Sequence, residues 1–579
     1  MLALHPVDWT ILGLYLLFAL GVGFYVRERA GTGRRSYFLA DRALPWWWAG
    51  VSVAATTFAA DTPLAVTGII AGRGLSGNWI WFSWIAIHAG VAVFFARLWW
   101  RSGVVTEAEV ISLRYSGRAA GWLRSARAGL FGLVYNAIIL GWVLRAMGKI
   151  LHPYVDWETW TPGLVRALDR IWPAGAAVGG ADEGITILIL VGIVTLYSTL
   201  GGIRGVIVTD LVQFALGLFG SLWLGVAAWR AVGGRSGFQE GLTRLYGANH
   251  GYLDLFPTVG SGWLGALEIG ALTFGAYLLV QSYANVPSDG GGYLQQRLNS
   301  CRSEGDASKA ALLFLGLHYL VRVWPWFAVG LAALVLIPLG GEVAALGEVG
   351  AGVAGDRELG YPVLMGLLLP AGAVGLLLTS LLAAFMSTID THLNWGASYL
   401  VNDVYLRVRP DAGATEQVRV ARTAVVGFGI LAVAVSLRID TIEQAWTWVA
   451  FLGASLGVPT AVRWIWWRVG AWAELGSMAV GLSVGLLMVT LSPWPYEVQL
   501  LVTGAAGVAG MVLGMALGPA PDRERAVAFR DRVDPPGFWP GRSPATALRQ
   551  LLEKAALTTG IVAGVVLGLR LGIAVFFGG

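Results

Sequence analysis

The stretch Ala59-Ala60-Asp61-Thr62-Pro63 breaks a long apolar segment of this chain with an acid and a proline. A second stretch, Val286-Pro287-Ser288-Asp289-Gly290-Gly291-Gly292, breaks another apolar segment about 220 residues later. Non-helical backbone persists at membrane depth only where it is buried in protein or lines a water-filled cavity. A matched pair of broken segments in the two halves of a membrane chain points to the binding site of a transporter. The two breaks therefore predict a carrier.

The composition is that of a membrane protein with many helical spans. The chain has 579 residues, of which 56% are hydrophobic and 13% are charged, and its mean hydropathy is +0.66. Its single cysteine, Cys301, cannot form an internal disulfide, and we find no Cys/His spacing of a metal site and no H-E-x-x-H motif. These features predict an all-α polytopic membrane protein without a cofactor, rather than an enzyme or a nucleic-acid-binding protein.

Fourteen apolar segments are long enough to cross a bilayer. They are residues 9–26, 45–72, 77–99, 127–150, 184–200, 205–229, 263–292, 309–338, 361–392, 420–438, 443–467, 472–491, 496–518 and 555–577. The connections on one side carry 28 lysines and arginines, and those on the other side carry 8. Because basic loops stay in the cytoplasm, we predict a protein of the inner cell membrane with both termini outside.

Asp61 is the most informative ionisable residue within a predicted span. An acid inside a span costs a few kcal/mol and is by default a functional hypothesis. Pro63 removes a helix hydrogen bond and frees a carbonyl one turn earlier. Freed carbonyls and a carboxylate are hard oxygen ligands that suit a small hard cation. The alternative is a kinked helix in which Asp61 pairs with a neighbouring helix.

The ninth segment presents a polar face near its end. Ala384, Ser387, Asp390 and Thr391 follow one another at i, i+3, i+6 and i+7, and Thr388 is adjacent. Hydroxyls in membrane helices often bond back to the carbonyl one turn earlier. Two consecutive hydroxyls with an acid one turn further on favour a binding role over that structural one.

Several motifs in this chain resemble those of the sodium:solute symporter family, which includes the proline, pantothenate, sialic acid and glucose symporters. The stretch 201–213, Gly-Gly-Ile-Arg-Gly-Val-Ile-Val-Thr-Asp-Leu-Val-Gln, is similar to the family signature GG-x-R-x-V-x-x-T-D-x-x-Q. Residues 384–390 followed by Asn-Asp-Val-Tyr at 402–405 also resemble the family, as does Tyr-Leu-Gln-Gln-Arg at 293–297. The motifs occur in the family's order.

The resemblance implies a LeuT-type fold, in which five spans are repeated with inverted topology. We expect a first span with its loop at 1–44, a first repeat at 45–230 and a second repeat at 231–468. Accessory spans would follow at 469–579, with a charged, proline-rich cytoplasmic linker at 519–554. The first helix of each repeat would be one of the two broken segments.

The resemblance also implies where sodium, the coupling ion, would bind. The common site would use the carbonyl oxygens of Ala59, Thr62 and Ala384 and the hydroxyls of Ser387 and Thr388. Some members hold a second sodium ion, and the matching positions here are Asp210, Ser387, Asp390 and Thr391. Asp390 could instead bond locally, and Asp210 could cap a helix.

The predicted solute site lies along the seventh segment. Its polar residues Tyr277, Gln281, Asn285 and Asp289 are spaced four apart, which places them on one helix face. We add Ser288 and Asp61 to this site, and also Tyr293, which follows the break at the position where the family resemblance implies a gating tyrosine. Gln281 and Asn285 could instead hold helices together. The sugar transporters carry Trp-Gly-Phe-Asn where this chain has Ser-Asp-Gly-Gly at 288–291, so a hexose is not the expected solute.

Together these features predict sodium-coupled uptake of a small polar organic solute by alternating access. The partners would be the solute, sodium and the lipid bilayer, without an obligate protein partner. A proton-coupled symporter of the same fold and a solute sensor on a transporter scaffold are the alternatives. Arg145 and Arg322, which lie inside predicted spans, would pair with the membrane acids or with a substrate carboxylate.

Overall fold

The structure is a computed structural model that describes residues 2–26, 42–173, 175–178, 180–200, 203–257, 271–284, 287–339 and 347–578. Within these ranges the chain is helical, with two isolated β-bridges and no strand. The helices are α1 (Pro6–Val26), α2 (Trp46–Thr56), α3 (Asp61–Arg73), α4 (Leu75–Phe82), α5 (Ile85–Ser102), α6 (Glu107–Arg114), α7 (Gly117–Leu151), α8 (Trp157–Trp160), α9 (Pro162–Asp169), α10 (Ala181–Leu200), α11 (Ile203–Val232), α12 (Gly234–Tyr246), α13 (Ala271–Tyr283), α14 (Tyr293–Asn299), α15 (Glu304–Leu336), α16 (Gly347–Gly355), α17 (Gly360–Leu368), α18 (Ala373–Val408), α19 (Ala414–Ser436), α20 (Ile442–Val462), α21 (Ala471–Leu491), α22 (Tyr496–Leu517), α23 (Arg523–Val533) and α24 (Pro544–Phe576).

Each of the fourteen predicted segments overlaps at least one of these helices. In the described part of the chain, nine helices are long and apolar enough to cross a membrane, and two bent pairs raise that number to eleven. The prediction of an all-helical membrane protein is therefore confirmed. The number fourteen stays a prediction.

The ninth segment was predicted with the wrong boundaries. Residues 361–392 do not form one helix, because α17 ends at Leu368 and α18 begins at Ala373. Pro370 and Gly372 lie between the two helices, and Gly372 has a φ of 85°, which favours glycine. From there α18 continues to Val408, well past the predicted end.

The first predicted break is present. Helix α2 ends at Thr56, α3 begins at Asp61, and the two axes are bent by 58°. Pro63 is the third residue of α3, where a missing N–H costs nothing because the first-turn donors have no partner within the helix. The non-helical residues are therefore 57–60, and Asp61 and Pro63 open the second half-helix.

The second break follows α13 and consists of tight turns that require glycine. Gly290 has a φ of 73° and Gly292 has a φ of 66°, values that are unfavourable for other residues. A Cβ atom on Gly290 would lie 2.8 Å from Cγ2 of Val91 in α5, so the turn also packs tightly against that helix. Residue 285 lies outside the described residues.

Helix α18 is the centre of the bundle. In its most apolar window 94% of the residues are buried, compared with 17% in α24 at the periphery. It packs against α1, α2, α7, α11 and α19. Because α18 is enclosed by protein, its hydroxyl-bearing face meets other helices and not lipid.

The accessory helices α21 and α22 pair closely with each other and with α20. Glycines allow this approach, since a Cβ atom on Gly476 would lie 2.2 Å from the carbonyl oxygen of Gly510. The segment 519–554, predicted as a linker, is a packed element. It forms α23 and the start of α24, and its Phe529 and Trp539 are buried against Trp464 and the guanidinium of Arg114.

Candidate functional site

A cavity of about 110 Å³ lies at the first helix break, in the middle of the bundle. It is lined by residues of α2, α3, α4, α5, α7, α14, α15, α18 and α20. These are Thr56, Thr57, Ala59, Asp61, Thr62, Trp81, Trp84, His88, Tyr135, Ile139, Trp142, Val143, Tyr293, His318, Thr388, His392, Trp446 and Val449. A larger cavity of about 380 Å³ between α5 and α24 contains none of the predicted site residues.

The carbonyl groups that the break frees are bonded from three directions. Arg322 of α15 donates to the carbonyl of Ala54 at 2.9 Å, and the hydroxyl of Thr388 of α18 donates to that of Thr56 at 3.3 Å. The hydroxyl of Thr62 donates to the carbonyl of Thr57 at 3.4 Å. Buried backbone groups need such partners. The break is therefore held open by side chains from two other helices and from α3.

The structure brings together the residues of the predicted common sodium site. Ala59, Thr62 and Thr388 line the cavity, and Ala384 and Ser387 are buried on α18 beside Thr388. The hydroxyl of Thr388 donates to the carbonyl of Ala384 at 3.0 Å as well as to the break. This side chain therefore connects α18 to the non-helical residues, and carbonyl and hydroxyl oxygens from both elements lie together.

At the predicted second sodium site, the side chains of other residues already form hydrogen bonds to two of the predicted ligands. The carboxylate of Asp390 accepts hydrogen bonds from the hydroxyl of Ser198 at 2.5 Å and from the amide of Asn394 at 2.8 Å. The hydroxyl of Thr391 accepts from the guanidinium of Arg297 at 3.3 Å. The side chain of Asp210 lies outside those that the structure describes. Arg297 places a positive charge where a cation would need a ligand.

Three histidines line the same cavity, although they are far apart in the sequence. Nδ1 of His88 lies 2.9 Å from the hydroxyl of Tyr319, and Nδ1 of His318 contacts the guanidinium of Arg322. Nδ1 of His392 lies 2.9 Å from the side-chain oxygen of Asn136. A single histidine in a membrane helix is usually a hydrogen-bonded packing residue. No pattern in the sequence indicates that these three histidines lie together. Their convergence is visible only in the folded chain.

Four aromatic residues of the cavity wall were also missed. Trp81, Trp84, Trp142 and Trp446 lie at the cavity, whereas tryptophans near span ends are usually interfacial anchors. Each lies on a different element or turn: α4, the turn after it, α7 and α20. No spacing in the sequence distinguishes a tryptophan that faces the protein from one that faces lipid headgroups.

Several predicted solute-binding residues lie outside the cavity wall. Gln281 donates to the carbonyl of Ile80 at 2.7 Å and accepts from the hydroxyl of Tyr496 at 2.9 Å, and Tyr277 packs against Tyr496. Ser288 donates to the carbonyl of Gly457 at 2.8 Å. These groups hold α13 and its break against α4, α20 and α22, which was the alternative interpretation. Asn285 lies outside the described residues, and Asp61 and Tyr293 are the members of the predicted set that line the cavity.

Asp289 belongs to a buried charge network instead of the cavity. Its Oδ2 accepts from Arg463 at 2.7 Å and from the indole of Trp464 at 2.7 Å. Arg463 also lies 3.7 Å from Glu474 of α21 and 3.9 Å from Glu107 of α6. Asp289 and Arg463 have no solvent exposure, so a fully buried ion pair fixes the second break.

The partners of the two span arginines differ from the predicted ones. Arg145 forms an ion pair with Glu183 and donates to the carbonyls of Ile439 at 3.1 Å and Ala177 at 3.2 Å. Arg322 donates to Ala54, contacts His318 and lies over the ring of Trp326, 5.3 Å from its centroid. Neither guanidinium bonds to Asp61 or Asp289.

A bundle with two broken helices around a central cavity, and with a hydroxyl-bearing helix against the first break, defines a secondary transporter. The sequence profile described as "Sodium:solute symporter family" matches residues 37–149 and 177–467. The chain belongs to the sodium:solute symporter family, whose members are sodium-coupled transporters and not enzymes.

Individual relatives agree with this assignment. A sodium/glucose cotransporter of Vibrio parahaemolyticus is 26% identical over 456 residues, which cover 76% of this chain and 77% of the relative. A sodium/glucose cotransporter 4 of Danio rerio is 25% identical over 517 residues, with 84% and 72% covered. The solved structure of a sodium-coupled sialic acid symporter in a substrate-bound outward-open state superposes with a TM-score of 0.67 at 19% identity, over 90% of this chain and 99% of that one. The predicted LeuT-type fold is confirmed.

Proposed function

We propose that this protein carries a small polar organic solute into the cell together with sodium, by alternating access across the inner membrane. Sodium would bind where the first helix break meets α18, and the solute would bind in the adjoining cavity. The observation that carries this proposal is the hydroxyl of Thr388, which bonds to the carbonyl of Thr56 at the break and to that of Ala384 in its own helix.

The oxygen atoms at this position suit an alkali-metal ion. Carbonyl and hydroxyl oxygens are hard, neutral ligands, and the carbonyl end of α2 is the negative end of a helix dipole. Among the residues that the structure describes, no group of three or more His, Cys, Asp or Glu residues could hold a metal ion. A monovalent cation needs no such cage of charged ligands, whereas transition metals depend on them.

A sodium gradient supplies enough free energy for uptake. One sodium ion that enters across 100 mV yields about 2.3 kcal/mol, and a tenfold concentration gradient adds about 1.4 kcal/mol. Together these terms sustain roughly 500-fold accumulation of a neutral solute for each ion coupled.

The test is binding of radioactive sodium to the purified, reconstituted protein, because it requires no knowledge of the solute. We expect saturable binding that the double variant Ser387→Ala/Thr388→Ala abolishes. The matched control is Thr379→Ala/Ser380→Ala, which removes the same two residue types two turns earlier in α18. Sodium binding that survives in the first variant, or that is equally lost in the control, would contradict the proposed site.

Proton-coupled symport is the alternative with structural support, because Asp61 and three histidines, all of which can bind a proton, line the cavity. A proton-coupled carrier would show no specific sodium binding, and an imposed pH gradient in sodium-free liposomes would drive its flux. A sensor would bind sodium and solute without net transport. Flux of the bound solute in liposomes with sodium replaced by potassium separates these alternatives from sodium symport.

A further inference from the structure

Asp61 is the charged side chain of the cavity wall, and one of its oxygen atoms is unsatisfied. The residue is 4% exposed, and its Oδ1 has no hydrogen-bond donor within the described part of the chain. A buried carboxylate oxygen without a donor costs free energy, and natural proteins retain such groups where a ligand completes them. A hydrogen-bond donor that enters the cavity would complete this oxygen atom.

The protein's own cations do not supply that donor. The positive charge of Arg322 acts on Asp61, but its guanidinium donates to the carbonyl of Ala54 and contacts His318. No lysine or arginine nitrogen of the described residues forms an ion pair with Asp61 within 4.0 Å. The indole of Trp446 and the backbone N–H groups of Asp61 and Thr62 also interact with the carboxylate, but Oδ1 still has no donor in the described part of the chain. The hydroxyls of Thr62 and Thr388 donate to carbonyl oxygens instead.

His392, another residue of the cavity wall, contributes a further acceptor. The amide nitrogen of Asn136 donates to the carbonyl of His392 at 2.9 Å, so its oxygen must be the atom that faces Nδ1 of the ring. Nδ1 of His392 therefore carries the hydrogen, and Nε2 of the neutral ring is an acceptor. The indole Nε1 of Trp84 is a buried donor without a partner in the described residues, so the wall offers both an unsatisfied donor and the unsatisfied acceptor of Asp61.

Much of the remaining wall is aromatic. The indoles of Trp81, Trp84, Trp142 and Trp446 and the rings of Tyr135 and Tyr293 surround the carboxylate. Aromatic faces attract organic cations and also pack against apolar groups. The volume of about 110 Å³ is smaller than the roughly 150 Å³ cavity that accepts benzene. In this conformation the cavity therefore suits a solute smaller than a hexose.

We infer that the solute is a small organic ammonium compound, either a simple protonated amine or an α-amino acid. Its N–H group donates to Oδ1 of Asp61, and its carbon skeleton packs against the indoles. This inference rests on the proposed function, because it assigns the solute class of the same site. It also gives Asp61 a role distinct from that of the sodium ligands on α18.

The test is thermal stabilisation of the purified protein in sodium chloride by a panel of small amines and amino acids. Each is paired with the analogue that carries a hydroxyl in place of the ammonium group, for example cyclopentylamine with cyclopentanol and L-alanine with L-lactate. We expect stabilisation by ammonium members only, and the amine and amino-acid arms show which of the two sources is preferred. Equal stabilisation by both members of the pairs, or no ammonium-dependent stabilisation across the panel, overturns the inference.

Variants of Asp61 separate this inference from the proposed sodium site. Asp61→Asn should weaken ammonium binding about 10- to 100-fold, as expected for loss of a charge-assisted hydrogen bond, and should leave stabilisation by sodium alone intact. Asp61→Glu keeps the charge and should retain part of the ammonium binding. If Asp61→Asn abolishes the sodium effect and spares the solute, Asp61 is a sodium ligand and the inference fails. If the unaltered protein shows no sodium effect, the proposed function fails instead.

Discussion

The two helix breaks carry the same kind of residues but lie in opposite environments. Asp61 at the first break faces a cavity and keeps an oxygen without a donor. Asp289 at the second break is bonded by Arg463 and Trp464, and its Oδ1 accepts from the backbone N–H of Gly291 at 3.2 Å. An acid in a broken span therefore does not by itself identify a ligand site. What distinguishes the two is whether the protein completes the carboxylate's hydrogen bonds.

The largest loss of stability should come from replacing Arg463, the cation that pairs with Asp289 at the second break. Arg463→Met leaves Asp289, Glu474 and Glu107 buried near one another with one arginine fewer. Breaking a buried pair by removing one partner costs about 3–5 kcal/mol. We expect a loss of that size in the free energy of unfolding, measured by denaturant titration in mixed micelles.

Arg409→Met is the matched control for that experiment, because Arg409 pairs with Glu416 but its side chain is 65% exposed. Exposed ion pairs contribute about 0–1 kcal/mol. Equal losses in the two variants would show that the ion pair at the second break does not stabilise the protein as a buried pair.

The second-largest loss of stability is expected from Asp289→Asn, which tests whether Asp289 differs in role from Asp61. Asp289→Asn removes the charge that Arg463 and the indole of Trp464 bond to, and leaves the guanidinium with a weaker partner. We expect it to lower the free energy of unfolding by about 1–3 kcal/mol and to leave binding of an ammonium solute within a few-fold of the unaltered protein. Loss of solute binding without a loss of stability would place Asp289 in the solute site after all.

A smaller effect is expected from the turn that positions Asp289. Gly290→Ala places a side chain at a φ of 73° and within 2.8 Å of Val91, which should cost about 1–2 kcal/mol of stability. The control is Gly275→Ala in α13, where a Cβ atom meets nothing within 4 Å and alanine is the better helix former. If thermal unfolding ranks the two variants in the reverse order, the turn does not require glycine.

The smallest effect on stability should come from Asp61→Asn. The substitution removes a buried charge whose Oδ1 has no donor, so the free energy of unfolding should change by less than about 1 kcal/mol. A destabilisation as large as that of Asp289→Asn would mean that the protein itself completes the Asp61 carboxylate, and would remove the contrast between the two breaks.

Much of the fold was predictable because it depends on local properties of the chain. The apolar segments, the first break and the polar face of α18 follow from hydropathy, from Pro63 and from residue spacing. The ninth segment was misplaced because α17 is as apolar as the helix that follows it. Hydropathy alone cannot show that a turn of four residues separates them.

The sequence by itself determined where helices can break and which face of α18 bears hydroxyls, since a missing N–H, a positive φ and a helical period belong to the residues themselves. Only the tertiary structure decided which acid is left incomplete and which histidines and tryptophans surround it. Those residues come from helices up to several hundred positions apart, from Asp61 to Trp446. A side chain's partner depends on which helices pack together, and the residues next to it in the sequence do not predict that packing.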